Sequence, residues 1–398
     1  MDLKVYPGKL RGTVNIIPSK SQAHRALVCA AFADGPTRIL CPQVNRDMEA
    51  TADCLRALGA HIERTEEGYT VIPASSVPRE AVLPCGESGS TLRFLLPVAG
   101  ALGVDTTFRL EGRLPQRPLS PLKEEMERMG CCFERPTENT LRLTGKLQAG
   151  EYQIRGDVSS QFITGLLLAF PLISGTSRIT ILGALQSKPY VDMTLEALTQ
   201  FGICPEKLEI TGGTPFRSPG TLSIEGDWSG AAFFLAANVL GSMITLQNLN
   251  PHSCQGDRAA QKLLPGLARK LTISAGDIPD LVPILAVTAA CNQGAVFTEI
   301  QRLWLKESDR VASTIALIEA LGGRAQADDN TLTVFGTGLR GGRVDTAGDH
   351  RICMAAAIAA TACREPVIIP GAQCAEKSYP TFFREFSRLG GHYEQYIR

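Results

Sequence analysis

No run of this sequence approaches the roughly 18 consecutive apolar residues of a membrane span, and the opening "MDLKVYPGKLRGTV" has neither an apolar core nor an Arg/Ser-rich transit pattern. A soluble, cytoplasmic protein that does not engage a membrane is expected. An excess of charge is lacking too. Lys plus Arg number 40 and Asp plus Glu 40, so no global field would hold nucleic acid, and any anion site must be local. Aromatic residues are sparse at 6%. The 12 cysteines contain no C-x-x-C, and most sit in apolar stretches (Cys29, Cys54, Cys291, Cys353), which reads as reduced core thiols rather than disulfides or a metal site. The five histidines show no metal-ligand spacing, and neither a G-x-x-x-x-G-K-[ST] phosphate loop nor a G-x-S-x-G elbow occurs. What remains is a metal-free and cofactor-free site for small anions.

What the chain does have is a repeat. A Ser-, Gly- or Asp-bearing start, an apolar helix of about a dozen residues, a turn and a β-rich strand recur from Ser19, Ser88, Ser159, Ser229, Asp277 and Asp349. The starts lie about 70 residues apart, except for a step of about 48 between the fourth and fifth. An amphipathic helix ending at glycine follows in "LRALGAHIE", "MERMGCCFE", "LTQFGICPE", "IEALGGRAQ" and "FSRLGGHYE"; the fourth copy, near "LLPGLARKLTIS", is degenerate. Helices that are apolar almost all round belong inside a protein, and six such units are too many for one core, so an α/β protein of two three-unit domains is expected.

The helix starts carry Lys20, Ser21 and Arg25; Gly89, Ser90 and Arg93; Ser159, Ser160 and Gln161; Asp227 and Ser229; Asp280; and Asp349, His350 and Arg351. A Ser or Asp at such a position is ordinarily an N-cap. A cation there opposes the helix dipole unless an anion is near, which points to oxyanion binding at Lys20, Arg25 and Arg351. If the helices of each domain run parallel, these ends form one face per domain, and two faces make a cleft. Arg113 and Arg117 stand on the loop "GRLPQRP", Lys306, Glu307, Asp309 and Arg310 at a strand-to-helix junction, and Lys377 in "CAEKSYP".

The stretches "PSKSQAHRAL", "GESGSTLRFLLP", "GRLPQRPLSPL", "GDVSSQFITGLLLA", "SKPYVDMTLEAL", "GDIPDL", "LKESDR", "DHRICMAAA" and "AEKSYP" closely resemble, in order from about residue 7 to residue 382, the enolpyruvyl transferases, in the branch that acts on shikimate 3-phosphate. The resemblance implies a two-domain inside-out α/β barrel, each domain holding three βαβαββ repeats. It places residues 13–225 in one domain and residues 1–12 with 226–398 in the other, with the active site in the cleft. The implied reaction transfers the enolpyruvyl group of phosphoenolpyruvate to the 5-hydroxyl of shikimate 3-phosphate through a tetrahedral intermediate, a step of aromatic amino-acid biosynthesis and a target of glyphosate. No cofactor or metal is implied, and the expected state is a monomer acting on small molecules.

By resemblance, Lys20, Ser21, Arg25, Ser159, Ser160, Gln161 and Ser187 would hold shikimate 3-phosphate, with Tyr190 nearby. Asp280 and Lys306 would hold its ring hydroxyls, Asp280 placed to take the 5-hydroxyl proton. Lys20, Gly89, Arg117, Gln161, Arg310, Arg351 and Lys377 would surround phosphoenolpyruvate, and Glu307 and Lys20 are the candidates for protonating its methylene carbon. Glu87 replaces an Asn common in relatives, and Arg302 and Trp304 replace an Asn and an Arg. The rival readings are the sister enzyme acting on UDP-N-acetylglucosamine, disfavoured by Lys20-Ser21 and a cysteine-free "GRLPQRP", and a non-catalytic phosphometabolite-binding protein.

Overall fold

The structure, a computed structural model, describes residues 1–396. In chain order it contains β1 (Leu3–Val5), β2 (Arg11–Asn15), α1 (Lys20–Ala31), β3 (Thr37–Leu40), α2 (Arg46–Ala57), β4 (His61–Thr65), β5 (Gly68–Ile72), β6 (Glu80–Gly86), α3 (Gly89–Leu102), β7 (Asp105–Leu110), α4 (Leu122–Arg128), β8 (Cys131–Thr137), β9 (Thr140–Gly145), β10 (Glu151–Arg155), α5 (Ser160–Ala169), β11 (Gly175–Leu182), α6 (Lys188–Gln200), β12 (Glu209–Gly212) and β13 (Thr221–Ser223). There follow α7 (Trp228–Val239), β14 (Met243–Gln247), α8 (Ala260–Gly266), β15 (Leu271–Ser274), α9 (Val282–Ala290), β16 (Ala295–Thr298), α10 (Arg310–Ala320), β17 (Arg324–Ala327), β18 (Thr331–Phe335), β19 (Gly342–Arg343), α11 (His350–Ala360), β20 (Val367–Ile369), α12 (Phe382–Arg388) and β21 (Tyr393–Gln395). No helix among them is long and apolar enough to cross a membrane.

The chain forms two compact units, Pro18–Glu225 and Met1–Ile17 with Gly226–Arg398. In the first, α1, α3 and α5 are buried over most of their surface, because their apolar residues leave no polar face to turn outward. In the second, α7, α9 and α11 play that part. Polar caps start most of them. Ser88 accepts from Thr91 N, Ser159 from Gln161 N, Asp227 from Gly230 N and Asp349 from Arg351 N, each replacing a bond the first turn cannot make. At the other end of α3, Gly103 adopts the left-handed conformation that stops the helix.

The sheets show one recurring order. In β6-β7-β9-β8 the strands flanking buried α3 pair in parallel, and an antiparallel hairpin completes the sheet. The sheet β15-β16-β18-β17 repeats this around α9. The sheets β13-β3-β5-β4 and β19-β20-β1-β21 have the same pattern, but each borrows a strand from a distant part of the chain. Around α1 and α7 the parallel partners are exchanged. The strand preceding α1, β2, pairs with β14, which follows α7; the strand preceding α7, β13, pairs with β3, which follows α1. This exchange corrects the expected boundary at residues 12 and 13: β2 is bonded to β14 through Asn15, so the first segment runs to Ile17.

Two smaller differences concern the helix starts. Asp280 lies in a turn two residues ahead of α9 rather than at its first position, and a short 3₁₀ helix, Gln301–Leu305, separates β16 from the "KESDR" residues. At the far end of the second unit, Lys9 Nζ donates to Leu240 O and, at 2.9 Å, to Thr361 O, the residues just past α7 and α11. One ammonium thus serves the negative ends of two buried helices.

Candidate active site

In the unit Pro18–Glu225 the starts of α1, α3 and α5 gather most of the expected residues. Lys20 Nζ lies 3.0 Å from Asp47 Oδ2, in the first turn of α2, with both side chains largely buried. The ammonium opposing the α1 dipole is therefore balanced by a carboxylate, a partner the sequence reading missed because only folding brings residue 47 to residue 20. Arg25 is buried and its donors end on neutral oxygens: Nε on Thr194 Oγ1 at 2.9 Å, Nη2 on Tyr190 O at 2.8 Å and Thr164 Oγ1 at 3.3 Å. The structure makes Arg25 a strut joining α1, α5 and α6.

Gln161 is oriented at both ends of its amide. Arg93 Nη1 donates to Oε1 at 2.7 Å, and Nε2 donates to Ser90 Oγ at 3.0 Å. Arg93 also donates to Pro118 O at 3.0 Å, so one guanidinium positions Gln161 and the chain just after Arg117. Arg93 stood among the helix-start residues but not among the expected ligand residues. Gly89 opens α3, and a methyl group added there would come within 2.5 Å of the Arg117 guanidinium. Ser159 caps α5, and Ser160 is buried beside it. Ser187 holds the left-handed conformation (φ 56°) immediately before α6, an uncommon state for a serine that costs on the order of 1 kcal/mol. Ser21 follows Lys20 in the first turn of α1, half-buried.

In the other unit the hub is Arg310, the first residue of α10 and 1% exposed. Its Nε donates to Asp349 Oδ2 at 2.8 Å, Nη1 to Asp280 Oδ1 at 2.5 Å and Pro279 O at 3.4 Å, and Nη2 to Glu307 Oε2 at 2.9 Å. Asp280 also meets Lys306 Nζ at 3.7 Å and Arg351 Nη2 at 3.3 Å. Burial would raise the Asp280 carboxyl, but Lys306, Arg310 and Arg351 outweigh it and hold it well below the usual carboxylate range. Burial pushes the Lys306 ammonium down to about 8, with Asp280 pulling the other way. Among the described residues Arg351 Nε is buried without a hydrogen-bond partner, a donor open to an acceptor from outside the cluster. Lys377 ends the 3₁₀ helix Ala372–Lys377.

The sequence reading missed Asp257. Ser229 donates to its Oδ2 in a short hydrogen bond, and burial, with Asp280 adding, pushes its carboxyl up to about 7. Nothing in "QGDR" distinguishes it from a turn residue. Of the three departures, the two in this unit divide: Arg302 is buried, whereas Trp304 is exposed. Each cluster thus combines cations, hydroxyls and preset hydrogen-bond donors, a set able to bind multiply charged oxyanions and move protons without large rearrangement.

Known proteins resemble this chain over nearly its full length. The family model for EPSP synthase (3-phosphoshikimate 1-carboxyvinyltransferase) matches residues 5–277 and 267–386. The 3-phosphoshikimate 1-carboxyvinyltransferase of Clostridium kluyveri is 37% identical, with 99% of this chain and 98% of that protein covered; one from Clostridium botulinum is 36% identical over the same shares. Among solved structures, EPSP synthase from Acinetobacter baumannii superposes with a TM-score of 0.79 at 22% identity, covering 99% of this chain and all of that one. The enolpyruvyl transferase NikO from Streptomyces tendae gives 0.77 at 19%, covering 99% and 98%. The fold is that of the enolpyruvyl transferases, and with the family model and full-length relatives agreeing, the chain belongs to the EPSP synthase (3-phosphoshikimate 1-carboxyvinyltransferase) family.

Proposed function

We propose that this protein transfers the enolpyruvyl group of phosphoenolpyruvate to the 5-hydroxyl of shikimate 3-phosphate, releasing phosphate, and that it does so as a cytoplasmic monomer without metal or cofactor. The observation that carries this is the full-length identity of 37% to a relative bearing that activity's name. Ser21, Arg25, Ser159, Ser160, Gln161 and Ser187 take the acceptor's anionic groups, and Asp280 and Lys306 its hydroxyls. Lys20, Gly89, Arg117, Gln161, Arg310, Arg351 and Lys377 take the donor.

A proton from Glu307 or Lys20 reaches the methylene carbon of phosphoenolpyruvate, the acceptor's 5-hydroxyl adds to C2, and Asp280 accepts the hydroxyl proton. The resulting tetrahedral adduct loses phosphate and a methyl proton to give the enol ether. Asp280 is a weak base while three cations hold it. A bound phosphate and carboxylate compete for the donors of Arg310 and Arg351, which raises the proton affinity of Asp280 as the complex assembles. Each well-placed cation contributes roughly 3 to 4 kcal/mol to the charged intermediate.

The test is acceptor choice. Phosphate release from phosphoenolpyruvate is followed with shikimate 3-phosphate or UDP-N-acetylglucosamine, with and without EDTA. Turnover with shikimate 3-phosphate alone, indifferent to EDTA, is expected. Turnover with the nucleotide sugar would reassign the acceptor, and binding without phosphate release would make the protein a sensor rather than an enzyme.

A further inference from the structure

The proposed chemistry leaves His24 without a task, although it lies one turn after Lys20 on α1 and is fully buried. Its Nδ1 is 2.7 Å from Thr51 Oγ1 on α2, and Thr51 Oγ1 is 2.7 Å from Thr91 Oγ1 on α3. The Thr91 hydroxyl donates at 2.7 Å to Ser88 Oγ, the cap immediately before Gly89. All four side chains are buried, so three polar bonds run in series from α1 through α2 to the start of α3. The Lys20–Asp47 ion pair lies one turn earlier on the same two helices, because residues 20 and 24, like 47 and 51, are a helical turn apart. Two rungs therefore join α1 to α2, and Thr91 ties α3 to the second of them.

The series has one direction. A hydroxyl has a single hydrogen, and that of Thr91 goes to Ser88 Oγ rather than to Asp47 O, which is 3.4 Å away. Thr51 must then donate to Thr91, and His24 must donate from Nδ1. Burial, opposed by the Asp47 charge, pushes the His24 imidazole down to about 3, so the ring is neutral and carries one hydrogen. Its Nε2, buried with no hydrogen-bond partner among the described residues, has on this assignment no hydrogen to place. At the other end Thr91 N also donates to Ser88 Oγ, at 3.2 Å, so both acceptor positions of the capping hydroxyl are filled. Thr51 and Thr91 are β-branched and stiff, which lets the chain transmit position instead of absorbing it.

We propose that His24, Thr51, Thr91 and Ser88 are positioning residues, a buried one-way hydrogen-bond chain that sets the start of α3 against Lys20 so that Gly89 and Lys20 meet phosphoenolpyruvate together. The effect on the donor rests on the assignment of Lys20 and Gly89 to its site; the direction of the chain does not. A displacement of about 1 Å at such a site costs up to about a hundredfold in rate.

Two measurements on the full-length protein test this. In Thr51→Val, which keeps the shape and removes the hydroxyl, the KM for phosphoenolpyruvate should rise at least about fivefold while that for shikimate 3-phosphate changes by less than about twofold. Thr51→Ser, which returns the hydroxyl, should restore the parent value. A lower denaturation midpoint with both KM values unchanged would make the chain purely structural and overturn the proposal, as would equal rises in both. If the phosphoenolpyruvate KM does not respond, Gly89→Ala locates the fault: a raised KM there means that the chain does not position the site, and an unchanged one that Gly89 does not belong to it. Nitrogen-15 NMR of histidine-labelled protein, with His24→Asn to assign the ring, reads the direction without reference to activity. A neutral ring protonated at Nδ1, constant from about pH 5 to about pH 9, is expected. Protonation at Nε2 instead would overturn the one-way chain.

Discussion

At the scale of single residues, the arrangement around Asp280 sets a proton balance that can be measured. Asp280 is held ionised by three cations, and in return its charge supports the protonated form of Lys306, which titrates at about 8. Removing that charge while burial persists must lower Lys306 further. In Asp280→Asn the rate is expected to fall by about 10²-fold to 10⁴-fold, the usual contribution of a positioned general base. The alkaline limb of kcat/KM, near pH 8 in the parent if Lys306 acts as the ammonium, should move to lower pH. A limb that stays in place would separate Lys306 from the reaction. Arg310 is a different kind of group. With five donor contacts to Asp280, Pro279, Glu307 and Asp349, it organises the cluster at least as much as it awaits a ligand.

At the scale of elements, the buried helices depend on how their ends are satisfied. Lys9 gives charge-assisted hydrogen bonds to the carbonyls past α7 and α11, so Lys9→Met should cost about 1 to 2 kcal/mol, seen as a lower midpoint in chemical denaturation with an unchanged slope. Equal midpoints would mean that water serves those carbonyls as well. The six helices were legible in the sequence because they lack a polar face: α9, "VPILAVTAA", has no residue to turn toward water. The capping residues were legible as well, since Ser88, Ser159, Asp227 and Asp349 are ordinary N-cap types at the right offset. Their partners were not. Asp47 balancing Lys20 spans 27 residues of the first repeat, Arg93 holding Gln161 and Asp349 holding Arg310 join residues from separate repeats, and no local pattern encodes those distances. The exchange of β2 and β13 was hidden for the same reason, because parallel pairing leaves no turn signal in the chain.

At the scale of the whole molecule, the exchange makes the two units unequal. Residues 18–225 carry every strand of their own sheets, including β13, whereas residues 226–398 lack β2 and β1, the latter an interior strand between β20 and β21. A fragment of residues 18–225 should therefore fold cooperatively by itself, and one of residues 226–398 should not unless a peptide of residues 1–17 is added; a stably folded 226–398 fragment would contradict this account of the sheets. The central claim concerns the complete chain, to which a single enolpyruvyl transfer is assigned. Phosphorus NMR of the protein with equimolar shikimate 3-phosphate and phosphoenolpyruvate, without added metal, tests it most directly. The account predicts loss of the two substrate resonances in a one-to-one ratio, with matching gain of inorganic phosphate and of one new phosphomonoester. Unchanged spectra, or phosphate appearing without consumption of shikimate 3-phosphate, would contradict it.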